Sequence, residues 1–420
     1  MAAASEPPKM GAMPLSRVTR RRAPRAADEQ TPSARPAGFE HIPASRVHLD
    51  SACQTLRPRS VVDAVSQHSL HDGACGGRVH YAAGVRVDEA VARVRRATLD
   101  AFALSPRRYA TAFTANTTSG LNLLLHQLPV GRYTRVLTTH TEHNSVFLST
   151  LAFARRADVP RVVIDRASDG SLVTGDHDLS GALLVVSAMD NVDGTVMAGL
   201  PDLIDRVHRE GGRVIVDAAQ AAAHALSHLR GLDADAICFS AHKMYGPSLG
   251  LVIATLDLLE ELSPSFVGGG QVAQVTETDF ELLPELHTRL EPGSLPGAEI
   301  VGFGAALDWF VPRAREIEAT ESALAHRLFE GLQRMPRLEV VSPAASPVMS
   351  VLPERVDAHR LAVFLSRAGV DVRSGHFCAH HWLSGRRGLP PLVRFSLGAH
   401  NTADDVDTAL DVLGRMLAGL

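Results

Sequence analysis

The sequence predicts an α/β fold, with a mostly parallel seven-stranded sheet in a large domain and a smaller α+β domain beside it. Short apolar segments alternate with helical patterns between residues 109 and 255. The segment at 182–188 is apolar throughout, as expected of a strand buried on both faces. Polar residues follow the ends of several segments, where sheets of this class bind their ligands.

Each element is predicted from hydrophobic periodicity. Strands of the large sheet are predicted at 109–113, 135–139, 161–165, 182–188, 213–217, 236–240 and 250–255. Helices are predicted at 60–70, 87–104, 118–127, 144–156 and 200–210. A loop-rich stretch is expected at 256–300 and a helical stretch at 299–335. The smaller unit is predicted to contain strands near 338–342, 347–352 and 392–397 and helices near 357–368 and 402–418.

These elements suggest four parts of the chain. Residues 1–45 are rich in arginine, proline and alanine and are expected to form a disordered basic leader. Residues 46–75 are expected to join the small domain, 76–305 to form the large domain, and 306–420 to form the C-terminal small domain.

Composition excludes several classes of function. The net charge of -4 gives no general attraction to nucleic acid or to a membrane surface. No run of 18 apolar residues predicts a membrane span, and no apolar segment follows the arginines of the leader as in a secretory signal. The four cysteines are widely spaced, which argues against a zinc site or a disulfide framework. We therefore expect a cytoplasmic protein without a bound metal.

Lys243 is the first candidate for a catalytic residue. The chain has 42 lysines and arginines, but only two of them, Lys9 and Lys243, are lysines. Arginine serves well for surface charge, but it stays protonated and cannot act as an amine nucleophile. A lysine retained between an apolar strand and a Gly-Pro turn therefore indicates Schiff-base chemistry, although a surface lysine present by chance would also explain it.

Polar residues follow five predicted strands in the same way. One group, Thr114 to Gly120, leads into a helix whose N-terminus suits a phosphate, although an ordinary helix cap explains it as well. The other groups contain His143, Asn191 and Asp217, and Lys243 with its neighbours. Because the carboxyl ends of parallel strands meet at one edge of a sheet, we expect these groups to form one site.

These motifs together resemble those of the class V aminotransferase family, which are pyridoxal-phosphate (PLP) enzymes of fold type I. The resemblance is greatest to cysteine desulfurases and selenocysteine lyases. It extends from about residue 47 to 418 and rests on LDSA at 49–52, TANTTSGLN at 114–122, TEHNSV at 141–146, VDAAQ at 216–220, FSAHKMYGP at 239–247, GGG at 268–270 and VRFSLGAHNT at 393–402.

The resemblance implies pyridoxal 5'-phosphate as the cofactor and a role for each matching residue. Lys243 would bind the cofactor and later transfer the substrate's α-proton, and Asp217 would pair with the ring nitrogen. Gln220 would bond the ring's phenolic oxygen, and His143 would stack on the ring. The residues implied to contact the phosphate or the rest of the cofactor are Thr117, Thr118, Asn191, Ser240 and His242.

The same resemblance implies how substrate and partner bind. Asn191 and Arg394 would hold an amino-acid substrate, because a guanidinium binds a carboxylate with two hydrogen bonds. Relatives are homodimers whose active sites lie at the interface, so Ser294 would contact the phosphate in the partner subunit. A desulfurase would also pass sulfur to an acceptor protein.

The departures from the family pattern leave the reaction open. In one desulfurase group the sulfur-accepting cysteine precedes the arginine of the RxSL motif, where this chain has Val393. We therefore expect cleavage of a C–S or C–Se bond in cysteine or a similar amino acid, either by β-elimination or as in a desulfurase. A true desulfurase would use Cys378 or Cys53. The fold is also compatible with an aminotransferase, an epimerase or a PLP-binding scaffold without turnover.

Overall fold

The structure is a computed structural model that describes residues 35–77, 80–167, 169–175 and 177–419. We number its strands in chain order. They are β1 (Val47–His48), β2 (Tyr109–Thr114), β3 (Arg135–Thr139), β4 (Arg161–Ile164), β5 (Ala182–Ser187), β6 (Arg213–Asp217), β7 (Ala236–Ser240), β8 (Gly250–Thr255), β9 (Val272–Val275), β10 (Phe280–Leu282), β11 (Leu338–Val340), β12 (Val348–Pro353), β13 (Val370–Asp371), β14 (Arg373–Gly375) and β15 (Leu392–Ser396).

The helices are numbered in the same way. They are α1 (Arg59–His71), α2 (Ala82–Ala101), α3 (Thr117–Gln127), α4 (Asn144–Ala157), α5 (Leu200–Arg209), α6 (Ala221–His224), α7 (Leu256–Glu261), α8 (Gly297–Phe310), α9 (Ala314–Gln333), α10 (Ala358–Arg367) and α11 (Ala403–Ala418). Most predicted elements are present within a few residues of their expected bounds. The helix expected at 87–104 instead begins at Ala82 and ends at Ala101.

The described residues form the expected seven-stranded sheet, in the order β2-β8-β7-β6-β5-β3-β4. Its strands run parallel except for β8, which pairs antiparallel with both β2 and β7. Every residue of β5 is buried, which explains its uniformly apolar sequence. The carboxyl ends of the parallel strands therefore lie along one edge, which carries the polar groups identified in the sequence.

A second, antiparallel sheet has the order β11-β12-β15-β14 and packs its own apolar core with α9, α10 and α11. The short strand β1 pairs with β13 beside this sheet, so the beginning of the described chain contacts the C-terminal unit. Val393 of β15 lies fully buried in this second core. The residue before Arg394 is thus a packing residue.

The prediction of a disordered leader over 1–45 is wrong for residues 35–45. Phe39 is fully buried, with its ring 5.3 Å from that of Trp309 and 6.4 Å from that of Tyr245. Arg35 also forms an ion pair with Asp405 at 3.4 Å. Burial of an aromatic side chain of this size contributes to ordering this segment. The rest of the predicted leader lies outside the described residues.

The stretch from 256 to 335 also differs from expectation. Residues 256–300 are less loop-rich than predicted, since they contain α7, the β9–β10 hairpin and the start of α8. The helical stretch predicted at 299–335 is two helices, α8 and α9, joined by a 3₁₀ turn at Val311–Arg313. Pro312 in this turn explains the break, because proline lacks an N–H and obstructs the preceding helical turn. Among the described residues, no helix combines the length and apolar character needed to cross a membrane.

Candidate active site

A cavity of about 340 Å³ lies at the carboxyl edge of the large sheet, between this sheet and the loops of the second unit. Its lining includes every site residue predicted from the sequence except Ser294. These lining residues are Thr117, Thr118, His143, Asn191, Asp217, Gln220, Ser240, His242, Lys243, Cys378 and Arg394. Residues from widely separated parts of the sequence therefore line one cavity. Those that follow the parallel strands meet there because the carboxyl ends of these strands lie along one edge of the sheet.

Lys243 ends the 3₁₀ turn Ala241–Lys243, which directly follows β7. Burial lowers the pKa of its ammonium group, the Asp217 carboxylate opposes this change, and the Arg394 guanidinium adds to it. A lowered pKa makes the neutral amine more available as a nucleophile or base near pH 7.

A buried network holds the end of the lysine turn. Tyr245 has a left-handed backbone conformation, with φ at +63°, and its N–H donates to Thr55 Oγ1 at 2.8 Å. Its hydroxyl accepts from the Ala399 N–H at 2.9 Å and donates to Glu321 at 3.3 Å. Glu321 in turn contacts His224 Nδ1 at 2.8 Å. These contacts tie the turn to α9 and to the segment after β15.

Asp217 is the last residue of β6 and is buried. Its Oδ1 accepts a hydrogen bond from the Ala219 N–H at 2.8 Å. Burial raises the pKa of its carboxyl group to about 6, although the Ala219 N–H and Lys243 favour the charged form. A buried carboxylate of this kind is well suited to binding a cationic ring nitrogen, which would supply the missing positive charge.

The N-terminus of α3 is surrounded by hydroxyl groups and a capping side chain. Asn116 caps the helix by accepting from the Ser119 N–H at 2.9 Å. Ser240 Oγ lies 2.6 Å from Thr117 Oγ1 and accepts from the Thr117 N–H at 2.9 Å, and Thr118 Oγ1 lies 2.5 Å from Ser145 Oγ. Such a helix end, lined by hydroxyls, fits a phosphate group.

Two histidines of the cavity are held neutral. Burial lowers the pKa of His143 to about 3, helped by Lys243 and Arg394, and burial with Lys243 and Arg57 lowers that of His242 to about 4. His143 Nδ1 accepts from the Ser145 N–H at 3.0 Å and so caps α4. The neutral His143 ring therefore carries its proton on Nε2. A neutral ring in the cavity wall suits stacking against a flat aromatic ligand.

Two buried polar side chains of the cavity keep an atom unpaired. Gln220 Nε2 donates to the Ala52 carbonyl at 2.8 Å, but its Oε1 has no hydrogen-bond partner among the described residues. Arg394 Nε likewise has none within the part of the chain that the structure describes. Because unpaired buried polar atoms are rare in proteins, both indicate a space meant for a polar ligand.

Two arginines make part of the cavity wall cationic. Arg394 on β15 is only 4% exposed; its Nη1 donates to the Asn191 carbonyl at 2.8 Å and its Nη2 lies 3.6 Å from Asp50. Arg373 stands opposite it in the register of β14 and binds the same Asp50 at 2.6 Å. Asn191 Nδ2 donates to the Phe377 carbonyl at 2.7 Å. Two guanidiniums facing one carboxylate leave positive charge for an anionic substrate group.

Arg373 and Asp50 were missed in the sequence. Arg373 lies on β14, a three-residue strand that is too short to give a periodic signal, and no strand was predicted there. The available signal in the sequence is the cationic side chain of Arg373, just before Ser374 and Gly375. Asp50 lies in the LDSA motif at 49–52, which by itself does not indicate an ion pair with Arg373.

The family model for aminotransferase class-V matches residues 47–409. The chain belongs to this family. Class V members are PLP enzymes of fold type I, so the chain is a PLP-dependent enzyme, as the sequence predicted.

Similar proteins agree with this assignment. A cysteine desulfurase of Serratia proteamaculans (strain 568) is 30% identical over 386 residues, covering 89% of this chain and 92% of the relative. The structure of a cysteine desulfurase from Thermococcus onnurineus NA1 superposes with a TM-score of 0.83 at 26% identity, over 89% of this chain and 95% of that one. A cysteine desulfurase from Escherichia coli gives 0.79 at 25% identity, over 91% and 97%.

The cavity of this class V protein fits PLP in each of its chemical parts. Lys243 supplies an amine for the aldehyde, and Asp217 is a buried carboxylate for the ring nitrogen. The unpaired end of Gln220 suits a ring substituent, and the α3 N-terminus suits the phosphate. The described residues contain no group of three or more His, Cys, Asp or Glu side chains placed to hold a metal ion.

The four cysteines, all free, occupy different environments. Cys378 is exposed and Cys53 half-buried, and both line the cavity. Cys238 is buried within the large sheet, whereas Cys75 is exposed on a loop away from the cavity. Because valine has no thiol, position 393 cannot accept sulfur, and the thiols that line the cavity are those of Cys53 and Cys378.

Ser294 lies outside this cavity. It is exposed and lines a larger cavity of about 1040 Å³, whose walls include residues of α3 and α4. A single subunit thus does not bring Ser294 to the proposed phosphate site, and its expected action in a partner subunit stays a prediction.

Proposed function

We propose that this class V enzyme cleaves the C–S or C–Se bond of cysteine or a cysteine-like amino acid. The observation that carries the proposal is one cavity lined by both Lys243, with its lowered pKa, and the buried Arg394. An amine and a carboxylate-binding guanidinium in one cavity fit an α-amino acid. The cysteine desulfurases similar to the chain support sulfur amino acids as the substrate class.

The cofactor would be held along the edge of the large sheet. Lys243 would bind it covalently, Asp217 would pair with its ring nitrogen, Gln220 would bond its phenolic oxygen, and His143 would stack on its ring. The remaining cofactor residues of the cavity would hold its phosphate; they are Thr117, Thr118, Ser240 and His242. When bound, PLP supplies an electron sink that stabilises negative charge on the α-carbon of the substrate.

The chain's own residues perform the other steps. Arg394 binds the substrate carboxylate with two hydrogen bonds, and Asn191 contacts both substrate and cofactor. Lys243 would take the substrate's α-proton on Nζ as a neutral base and later return a proton. The lowered pKa of Lys243 supports this role, because a base must be unprotonated near the working pH.

The test is product analysis with cysteine and selenocysteine as substrates. The wild type should release sulfur or selenium, and Lys243→Ala should lose this activity and the visible absorption of the lysine-bound cofactor. Borohydride reduction should attach the cofactor to the peptide that contains Lys243, with Lys9→Ala as the matched control that keeps both signals. A protein that binds no PLP, or that keeps full turnover in Lys243→Ala, contradicts the proposal.

A specific observation keeps β-elimination as a second candidate. Position 393 holds a buried valine, which has no thiol to accept sulfur. Elimination yields pyruvate and ammonia, whereas desulfuration by a thiol yields alanine. Production of an amino acid from a 2-oxo acid, or racemisation, would instead indicate an aminotransferase or epimerase. Bound PLP without turnover of any amino acid would indicate a PLP-binding scaffold.

The enzyme is further proposed to be a homodimer in which Ser294 contacts the partner's cofactor phosphate. The larger cavity beside Ser294 supports this proposal, because it is mostly apolar and is bordered by the exposed Phe266. Light scattering gives the oligomeric state. Mixing Lys243→Ala with a variant carrying a bulky residue at 294 then tests the site, since only mixed dimers restore one intact site. A monomeric active enzyme overturns it.

A desulfurase would also need an acceptor for its sulfur, either a protein or a small thiol, and the similarity to cysteine desulfurases supports one. A cytoplasmic location is supported by the four free cysteines, because disulfides accumulate mainly in oxidising compartments. Fractionation of cells that produce the tagged protein tests the location.

A further inference from the structure

Phe377 contacts both residues that are proposed to bind the substrate. Its carbonyl accepts from Asn191 Nδ2 at 2.7 Å, and the centre of its ring lies 4.8 Å from Cζ of Arg394. The Asn191 carbonyl in turn accepts from Arg394 Nη1 at 2.8 Å. The three residues therefore form a closed set of contacts, and a displacement of Phe377 disturbs both side chains that would hold the substrate.

The backbone at Phe377 depends on contacts from outside its own segment. Phe377 and Cys378 both have left-handed conformations, with φ at +48° and +57°. Such conformations are rare for residues other than glycine and persist where the surrounding structure imposes them. The Asn144 N–H donates to the Cys378 carbonyl at 2.6 Å, and Asn144 Nδ2 lies 3.1 Å from His380 Nδ1. The N-terminus of α4 therefore holds one end of the segment.

A π-helical turn from His381 to Arg386 holds the other end. His381 Nε2 lies 3.0 Å from Nδ1 of His140, the residue after β3, and the His381 ring stacks on that of Phe147 in α4 with centres 4.2 Å apart. Arg386 also forms an ion pair at 2.7 Å with Asp165, the residue after β4. Turns of this type are rare and are often found at functional sites. The contacts of His381 therefore join the second unit to the large sheet, and we call His140, Phe147 and His381 the latch.

The latch needs an unprotonated imidazole nitrogen. In the contact between His140 Nδ1 and His381 Nε2 one nitrogen donates and the other accepts, so the bond is lost when both rings are protonated. The charged groups that face the pair, from β4, the residue after it and the π-helical turn, are Arg161, Asp165 and Arg386. Burial lowers the pKa of both rings, and the two arginines add to this effect. Asp165, 3.9 Å from His140 Nε2, opposes it at His140. The closed latch therefore binds fewer protons than a released one.

We propose that His140 and His381 are positioning residues for substrate binding, which hold Phe377 against Arg394 while the pair is neutral and release it when the pair is protonated. The inference rests on the proposed function, in which Arg394 binds the substrate carboxylate. Each proton taken up on release weakens closure by up to about tenfold for every pH unit below the ordinary histidine pKa of about 6.5. Substrate binding is therefore strongest above this pH and weakens as the pH falls below it.

The first test is amide hydrogen exchange of the PLP-loaded enzyme, followed for the peptide that spans 377–389 and corrected for the intrinsic effect of pH. Protection of this peptide in the wild type should fall by about threefold or more between about pH 7.5 and about pH 5.5. The double variant His140→Asn with His381→Gln keeps amide groups near the two ring nitrogens but does not titrate, so its protection should be equal at both pH values. His326→Gln is the matched control, because His326 is an exposed histidine on α9, and it should behave as wild type.

The second test is the KM for cysteine at the same two pH values. Effects of pH on the substrate and on Lys243 are common to wild type and double variant, so they cancel in the comparison. The rise in KM at low pH should be about threefold or more greater for the wild type than for the double variant, with similar changes in kcat. Unchanged cofactor absorption verifies that the double variant is folded.

The outcomes separate the inference from the proposed function. Wild-type protection that does not depend on pH overturns the proton-sensitive latch, and this result needs no variant. An equal pH effect in the double variant overturns the role of the two histidines. The expected exchange pattern without the difference in KM overturns the link to substrate binding. Absence of C–S cleavage together with the expected exchange pattern defeats the proposed function, and the link to its substrate, but keeps the latch.

Discussion

Replacing the two cavity arginines by lysine should affect catalysis to very different extents. Arg394 is 4% exposed and its nitrogen atoms contact Asn191 and Asp50, whereas the side chain of Arg373 is 44% exposed. Disturbing a buried, hydrogen-bonded charge contact costs about 2–5 kcal/mol, whereas an exposed ion pair contributes about 0.2–1 kcal/mol. At 1.4 kcal/mol for each tenfold change, Arg394→Lys should lower kcat/KM by about 30-fold or more, and Arg373→Lys by less than about tenfold.

The assay is steady-state cleavage of cysteine, with cysteamine as the control substrate that lacks a carboxylate. If Arg394 binds the carboxylate, Arg394→Lys raises KM for cysteine but leaves the weak reaction with cysteamine nearly unchanged. Equal losses for the two arginine variants, or equal losses with both substrates, would refute the assignment. Cofactor absorption and the urea midpoint verify that each variant is folded.

Three further predictions concern stability. Because burial raises the pKa of Asp217 to about 6, its folded state binds more protons than the unfolded state, and its stabilising effect is lost as pH rises from about 4 through 6. We compare the free energy of urea unfolding of cofactor-free Asp217→Asn with that of the wild type at two pH values. The difference, variant minus wild type, should be about 1–3 kcal/mol more positive at pH 8 than at pH 4; a pH-independent difference contradicts this. Tyr245→Phe leaves the buried Ala399 N–H unpaired and should cost about 1–3 kcal/mol in urea unfolding, whereas a neutral effect would show that the hydroxyl contacts are unimportant. Phe39→Ala should cost about 3–5 kcal/mol and lower the melting temperature, and no change would mean that residues 35–45 do not pack as described.

The large sheet and most of its site were predictable because both follow from local pattern. Each strand is a short apolar segment, and the rule for strand ends then groups Asp217, Lys243 and the other polar ends without any long-range information. The resemblance to class V enzymes supplied the pairing of these ends with Arg394, which lies on another sheet. Local pattern alone gives no reason to place Arg394 in the same cavity as Lys243.

The positions that the sequence pattern does not predict have a different physical origin. Arg373 is on a strand of three residues, and Phe39 is a single aromatic residue in a polar, proline-containing segment; neither produces periodicity. Their positions depend on contacts with residues far along the chain, Asp50 for Arg373 and Trp309 for Phe39. Ser294 lines a separate cavity of the single chain, and its proposed contact with a phosphate depends on the proposed partner subunit.

The antiparallel strand β8 has a consequence for motion. Parallel neighbours need a long crossover, whereas β7 and β8 are joined directly by the turn that contains Lys243, and Ser240 pairs with Gly250 across it. The lysine is therefore anchored at the end of two hydrogen-bonded strands, the second and third of the seven in the large sheet. Arg373, Cys378 and Arg394 belong to the second unit. If the cavity opens, we expect the wall that holds the two arginines and Cys378 to move relative to Lys243, and we expect amide exchange to be slowest on the lysine side.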